Sequence, residues 1–333
     1  MMKKTLSLSD LGVAFPGGMP SEELLHTVKR AEQDGFSACW ISEDYYYGGA
    51  MATAGAIAAV TERIGIGVGV VNPFTRSPEV IAMEAAVVDT VSKGRFQLAV
   101  GASNRRWIEE QMCIPFQKPR TRMAEAVRII SGLLRGETVN LDGETISAHQ
   151  VRLDFQTYRK DMPVCMGVSG EKSLRQAGAV ADGVLLSIMS AVPYAAWARR
   201  VVDEGARAAG RETHIPISVY VPLFLGDPEE GRKAFAPTIA HYAGVAAKRA
   251  FIRESGASEE EIRPLAERFA AGRSGEDLVT QALADRFAVC GDARRCRERL
   301  EAYLDAGVDQ LILCACGDVS ALQMMEFAKE ILK

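Results

Sequence analysis

The apolar positions of this chain fall into two kinds of run. Short continuous runs read as strands, and longer stretches with apolar residues three and four apart read as amphipathic helices. Eight strands are predicted: 8–15, 37–41, 64–71, 95–101, 163–167, 183–187, 217–225 and 310–314. The third, IGIGVGVV from Ile64 to Val71, is apolar on both faces, as a parallel strand covered on both sides should be. The first helix begins near Ser21, with Glu22 and Glu23 in its first turn. Leu24, Leu25, Val28 and Ala31 form its apolar face, and Gly35 ends it. Further helices are predicted after Pro78 to Val91 and over 120–134, 171–181, 194–209, 293–306 and 320–332.

Two stretches interrupt this alternation. Asp142-Gly143, between Val139 and Ile146, predicts a hairpin turn, so 137–160 reads as a small β excursion on the rim. Residues 227–285 hold no clear strand and read as helices over 229–235, 238–255, 259–271 and 276–284. The expected fold is one α/β domain over 1–333. It is a closed TIM (β/α)8 barrel with a helical insertion at about 227–285, before the last βα unit. An open doubly wound sheet is the alternative to a closed barrel.

Composition narrows the partners. A chain of 333 residues with 48% apolar and 25% charged positions can bury a large core without disulfides or metal. The net charge of -4 is spread evenly. Arg105-Arg106 and the cluster Arg294, Arg295, Arg297, Arg299 are too short for a nucleic-acid footprint. The cluster shares helical spacing with Glu298 and Glu301 and reads as a solvated face. No apolar stretch reaches membrane-spanning length. The N-terminus MMKKTLSLSDLGVAF is too short and interrupted for a signal peptide. Seven cysteines, several inside apolar runs (Cys39, Cys165, Cys314), suit a reducing compartment. The expectation is a cytoplasmic protein with a small-molecule substrate and neither nucleic-acid nor membrane partners.

In a barrel the chemistry sits at the carboxyl ends of the strands. There, Gly167-Val168-Ser169-Gly170 runs from a buried strand straight into a helix beginning at Glu171. Small residues and free helix N–H groups suit an anion, while an ordinary tight turn with a serine cap explains the same residues. Gly65, Gly67 and Gly69 lack the third glycine spacing of a dinucleotide fingerprint, and no helix opens within them. Glu43 and Asp44 follow the second strand; adjacent carboxylates point to different sides, and a solvated loop accounts for both by itself. His26, His149, His214 and His241 are scattered, and no metal-ligand or nucleophile-elbow spacing occurs. No metal is expected.

Four blocks carry a family resemblance: AEQDGFSACWISEDY, TERIGIGVGVVNPFTRSPEVIAMEAAVVDTVSKGRFQLAVGA, GVSGEKSLRQAGAVADGV and FAVCGDARRCRERLEAYLDAGVDQLIL. In this order and spacing they resemble the luciferase-like monooxygenase superfamily, and most closely its deazaflavin (coenzyme F420) branch around methylenetetrahydromethanopterin reductase. The resemblance spans about residues 10–330. It implies a TIM barrel, a homodimer and a cofactor across the strand ends. It implies a cis peptide at Gly69-Val70, with Val70, Val71 and Asn72 lining the ring and Gly101 and Ala102 close to it. Gly167 to Glu171, including Val168, Ser169 and Gly170, would hold the cofactor phosphate, and Glu43 matches an acidic position near the cofactor.

The same resemblance marks departures. The branch has Asp-His where Glu43-Asp44 stands, an acidic residue in many members at Asn104, and in the reductases a strand-one glutamate at Ala14. Asp44 and Asn104 become the candidates to polarise a substrate. The implied activity is hydride transfer to or from a small organic substrate with coenzyme F420. A reduced-FMN monooxygenase of the same fold is one alternative. A flavin-binding protein without catalysis is another.

Overall fold

A computed structural model describes residues 6–333. Its strands are β1 (Leu11–Phe15), β2 (Ala38–Ile41), β3 (Gly65–Val71), β4 (Phe96–Gly101), β5 (Val139–Asp142), β6 (Ser147–Val151), β7 (Val164–Gly167), β8 (Gly183–Leu186), β9 (Ile217–Leu225), β10 (Val289–Gly291) and β11 (Gln310–Cys314). The helices are α1 (Ser21–Asp34), α2 (Ala50–Val60), α3 (Pro78–Val91), α4 (Pro119–Leu134), α5 (Glu171–Val180), α6 (Val192–Ala208), α7 (Pro228–Ala246), α8 (Ala250–Arg253), α9 (Glu259–Ala270), α10 (Gln281–Phe287), α11 (Ala293–Asp305) and α12 (Ala321–Ile331).

Eight of these strands pair in parallel in the order β1-β2-β3-β4-β7-β8-β9-β11, and β11 returns to β1. The sheet is therefore closed, a TIM barrel with α7 to α10 between β9 and the last units. The eight predicted strands are these eight. β10 is a ninth, short strand that pairs with the end of β9, Val289 against Leu223 and Gly291 against Leu225.

Local differences from the sequence expectation have local causes. The first strand starts at Leu11, because Leu8–Asp10 form a 3-10 turn closed by the Asp10 carboxylate on the Ser7 amide (3.0 Å). Helix α2 has no counterpart in the prediction, since AMATAGAIAAV lacks both a charge and a polar face. Helix α7 runs unbroken through Pro237 and merges two predicted helices, with the four-residue α8 beyond it. The hairpin β5–β6 forms as expected. Glu125 of α4 fixes its turn by accepting the amides of Glu144, Thr145 and Ile146.

Packing inside the barrel depends on missing side chains. Trp40 lies across the interior with Ala38, Ala99, Leu185 and Ile312. A Cβ at Gly67 would overlap the Trp40 ring, so glycine there is what admits the indole. The indole N–H donates to Gln310 Oε1 at 3.1 Å, which removes the one polar liability of a buried tryptophan.

The amino end is tied by charged clamps. Glu32 accepts the amides of Glu62, Arg63 and Ile64 at 2.6–3.0 Å. The Arg95 guanidinium donates to the carbonyls of Ala58, Thr61, Ile64 and Ser92 and to the Thr61 hydroxyl. Buried Asp89 holds Arg159 through both carboxylate oxygens, and Arg159 donates onward to the Phe96 carbonyl at 2.7 Å. Each clamp converts orphaned turn groups into paired ones.

Candidate functional site

A cleft of about 850 Å³ opens at the carboxyl ends of the strands. Its floor is the end of β3. The Gly69-Val70 peptide is cis, and the pairing with β4 slips between Gly69 and Val71, so Val70 bulges out of the ladder. Val70 occupies space left by two glycines: a Cβ at Gly101 or at Gly167 would overlap its methyl groups. A Cβ at Gly69 would overlap Leu185. Two strand ends, β4 and β7, thus give up their side chains so that one valine can form an apolar surface facing the cleft, and Gly69 gives up its own to Leu185. The Tyr220 hydroxyl from β9 donates to the Gly69 carbonyl at 3.4 Å, and burial pushes this phenol's pKa up.

One wall comes from the loop after β2. Glu43 is almost fully buried, and one of its oxygens meets Arg76 Nη1 at 2.6 Å. Its other oxygen, Oε2, is buried with no hydrogen-bond partner. Arg76 also lies 3.3 Å from Glu84 of α3. Asp44 is half-buried; burial pushes its carboxyl pKa up, and the Gly17 amide pulls it back only in part. Tyr45 packs edge-on against Trp107, 5.7 Å between centroids, and its hydroxyl pairs with Thr75 at 2.9 Å. Burial also pushes the Tyr45 phenol up.

The opposite wall is the turn from β7 into α5. Gly167, Val168, Ser169 and Gly170 line the cleft. Gly170 is the residue before α5, with no side-chain cap, and a Cβ there would touch nothing within 4 Å. The Ser169 carbonyl is turned away from the cleft by the Tyr194 hydroxyl, which donates to it at 2.8 Å. The amides at the head of α5 carry no side-chain cap.

Most of the residues singled out in the sequence therefore meet in one place: Glu43, Asp44, Gly69, Val70, Gly101 and 167–170 all line the cleft. Three do not. Asn72 is buried beneath the floor, accepting the Phe74 amide at 2.7 Å and donating to the Ala102 carbonyl at 3.2 Å. Asn104 accepts the Trp107 amide at 3.0 Å and braces a π-helical turn at Arg106–Gln111. Glu171 points outward beside Arg175. Ala14 does line the cleft, and offers it no polar group.

Sequence reasoning missed Arg76, Ser103, Tyr220, Gln176 and Arg249. Arg76 and Ser103 lie in loops whose position pointed to the site. Ser103 has φ +61° and a buried hydroxyl without a partner. Tyr220 carries a weak signal, a phenol inside an otherwise apolar barrel strand. Gln176 lies on α5 and Arg249 in the link between α7 and α8, where polar residues are usual, and only the fold turns them to the cleft. Among the described residues no group of three or more candidate ligands could hold a metal ion. No helix among them is long and apolar enough to cross a membrane.

The chain is similar to known proteins in sequence and in fold. A 5,10-methylenetetrahydromethanopterin reductase of Methanolobus tindarius is 28% identical over 305 residues, covering 90% of this chain and 92% of that protein. An F420-dependent glucose-6-phosphate dehydrogenase of Amycolatopsis mediterranei is 25% identical over 329 residues, covering 93% of each. In fold, the coenzyme F420 dependent tetrahydromethanopterin reductase from Methanopyrus kandleri superposes with a TM-score of 0.84 at 24% identity, over 96% of this chain and 97% of that one. Residues 6–310, from the first barrel strand into the last, match one family along their whole length, so this chain belongs to the luciferase-like monooxygenases.

Proposed function

We propose that the chain is an oxidoreductase that binds coenzyme F420 and moves hydride to or from a small organic substrate. The carrying observation is the cradle of Gly101, Val70 and Gly167, which presents a flat apolar surface in the cleft where a Cβ on either glycine would break it. The buried, unpartnered oxygens of Glu43 and Ser103 beside it suit a planar heterocycle rich in N–H and C=O groups. Relatives at 25–28% identity are named for F420 or for a reductase of this kind, which favours a deazaflavin over FMN.

When bound, the deazaflavin supplies the hydride chemistry itself. The chain supplies position and charge. Val70 would back the ring, Gly69, Gly101 and Gly167 would keep side chains clear of it, and Val168 would line the cleft beside it. Gly170 and the head of α5, with Ser169 shaping the turn, receive the phosphate through free amides and the positive end of the helix. Glu43, fixed by Arg76, sets the ring's orientation. Asp44 lines the cleft, burial raises the pKa of its carboxyl, and it is the group we assign to acid–base work on the substrate. Asn104 and Asn72 position the loops that carry Trp107 and the floor. Glu171, turned outward, contributes through the first turn of α5.

We also infer a homodimer in the cytoplasm. Val80, Met83, Val87 and Val91 form an exposed apolar stripe along α3, beside the chargeless α2, and a second copy would cover both. The helical segment 227–285 is read as part of the same domain, since it delivers Tyr242 and Arg249 to the cleft.

The test is to purify the protein from a host that makes both cofactors and to identify the bound molecule by mass and absorbance. Co-purified F420, displaced by added F420 and not by FMN, supports the proposal. Bound FMN, or no binding of either, overturns it.

A further inference from the structure

We propose that Tyr242, carried into the cleft by α7, is a second catalytic residue: its hydroxyl donates to the substrate oxygen on which Asp44 does its acid–base work. The substrate is thereby assigned to the ketones and aldehydes, or to the corresponding alcohols. This rests on the F420 reading above. Tyr242 lies on the inner face of α7, in line with the buried Phe235, Ile239 and Ala246. It is itself half-buried, because it reaches past that face into the cleft, whose lining also includes Asp44, Tyr220 and Cys314.

Two phenols from neighbouring elements face this space, and they differ in what they already hold. The Tyr220 hydroxyl is committed to the Gly69 carbonyl at 3.4 Å. The Tyr242 hydroxyl has no hydrogen-bond partner among the described residues. Burial pushes the Tyr242 phenol up, and the charges of Asp44 and Cys314 push it further. It therefore stays protonated, and a donor, at neutral pH. The Asp44 charge acts on Tyr220 as well, so this carboxyl lies within electrostatic reach of both phenols. Asp44 also lacks any other helper. Ala14 offers the cleft no polar group, and Asn104 already holds the Trp107 amide. A carbonyl oxygen has two lone pairs, one for the phenol and one for the protonated carboxyl. In the alcohol direction, the O–H proton passes to the Asp44 carboxylate and the C–H electron pair leaves with its hydrogen for the deazaflavin. The new carbonyl oxygen keeps the Tyr242 hydrogen bond throughout. A fully substituted iminium nitrogen has no lone pair for either group.

The experiment follows the carbonyl stretch of isotope-labelled cyclohexanone bound to the full-length protein loaded with oxidised coenzyme F420, by difference infrared spectroscopy. No turnover occurs in this complex, and a hydrogen bond to the carbonyl lowers its frequency. In Tyr242→Phe the bound band should move to higher frequency; in Tyr220→Phe it should stay where the wild type has it. With reduced F420, single-turnover reduction of the ketone should slow about hundredfold in Tyr242→Phe, as for loss of one donor to a developing oxyanion. F420 affinity of that variant should hold, which also shows that it is folded. A band that stays put in Tyr242→Phe, or moves as far in Tyr220→Phe, overturns the role of Tyr242. Loss of F420 affinity in Tyr242→Phe overturns it too, because the phenol would then be serving the cofactor. Absence of a bound carbonyl band in wild-type protein that holds F420 overturns the substrate class and the role, while leaving the F420 reading standing. Failure of the wild type to bind F420 sinks that reading and the role with it.

Discussion

Arg95, at the amino end of the barrel, directs its donors at four carbonyls and a hydroxyl. Glu43, at the carboxyl end, is as thoroughly enclosed, yet one oxygen has no partner. The two ends use the same residue types to opposite purposes. Below, charged side chains complete the hydrogen bonding of turns. Above, Glu43, Ser103 and Gln176 keep polar atoms buried and unanswered. A buried polar atom without a partner costs stability; others occur away from the cleft, at Arg199 and Arg299, but these three face a space large enough for a ligand to complete them.

The largest expected effect tests the lower end. Arg95→Ala should lower unfolding free energy by about 4 kcal/mol, read by urea denaturation, because several buried carbonyls lose their donor at once. Cofactor affinity of the protein that remains folded should not change. If it falls in parallel, the two ends are not separate systems.

Asp44→Asn acts the other way. Hydride transfer should slow about hundredfold in single-turnover kinetics while F420 affinity holds, as expected for loss of a general acid–base group. Burial raises the Asp44 carboxyl above its unfolded value, so the folded state holds this proton more tightly. Its contribution to stability is full below the unfolded pKa and is lost as pH rises through the folded one. The Asp44→Asn variant should lack that drop; an unchanged pH–stability profile would show that Asp44 is not the group concerned.

Gly101→Ala should weaken F420 by about 2 kcal/mol in a fluorescence titration, since the new methyl overlaps Val70 and tilts the floor. Wild-type affinity would mean that the cradle does not touch the ring. The smallest effect sought is Gly170→Leu. Its Cβ points into open space and its φ of -94° suits any residue, so melting temperature should stay put. Affinity should fall about tenfold if the phosphate approaches this turn. A normal affinity places the phosphate elsewhere.

The contrast between the ends also explains what the sequence revealed. All eight barrel strands were legible, because burial on both faces leaves continuous apolar runs such as IGIGVGVV. Helix α2 was not, because a helix apolar all round has no periodicity to detect. The glycine turn at 167–170 was legible as local chain chemistry. The cis bond at Gly69-Val70 followed from the family motif and is present. Gln176 and Arg249 were not legible, since their relevance comes from which segments the closed barrel brings together. Asn104 shows the reverse error: a polar residue in the right loop whose carbonyl oxygen already holds the Trp107 amide.

The cysteines of this chain amount to a chemical address. Burial pushes the thiols of Cys39, Cys165, Cys296 and Cys314 up to about 12 and that of Cys290 to about 11, and raises Cys316 as well. Thiolate is the reactive form, so these six stay silent toward a maleimide at neutral pH. Cys113 alone is exposed, two residues past the turn that carries Trp107 into the cleft wall. A dye can therefore be attached at one known position without engineering, close enough to the cleft rim to report on the arrival of a ligand.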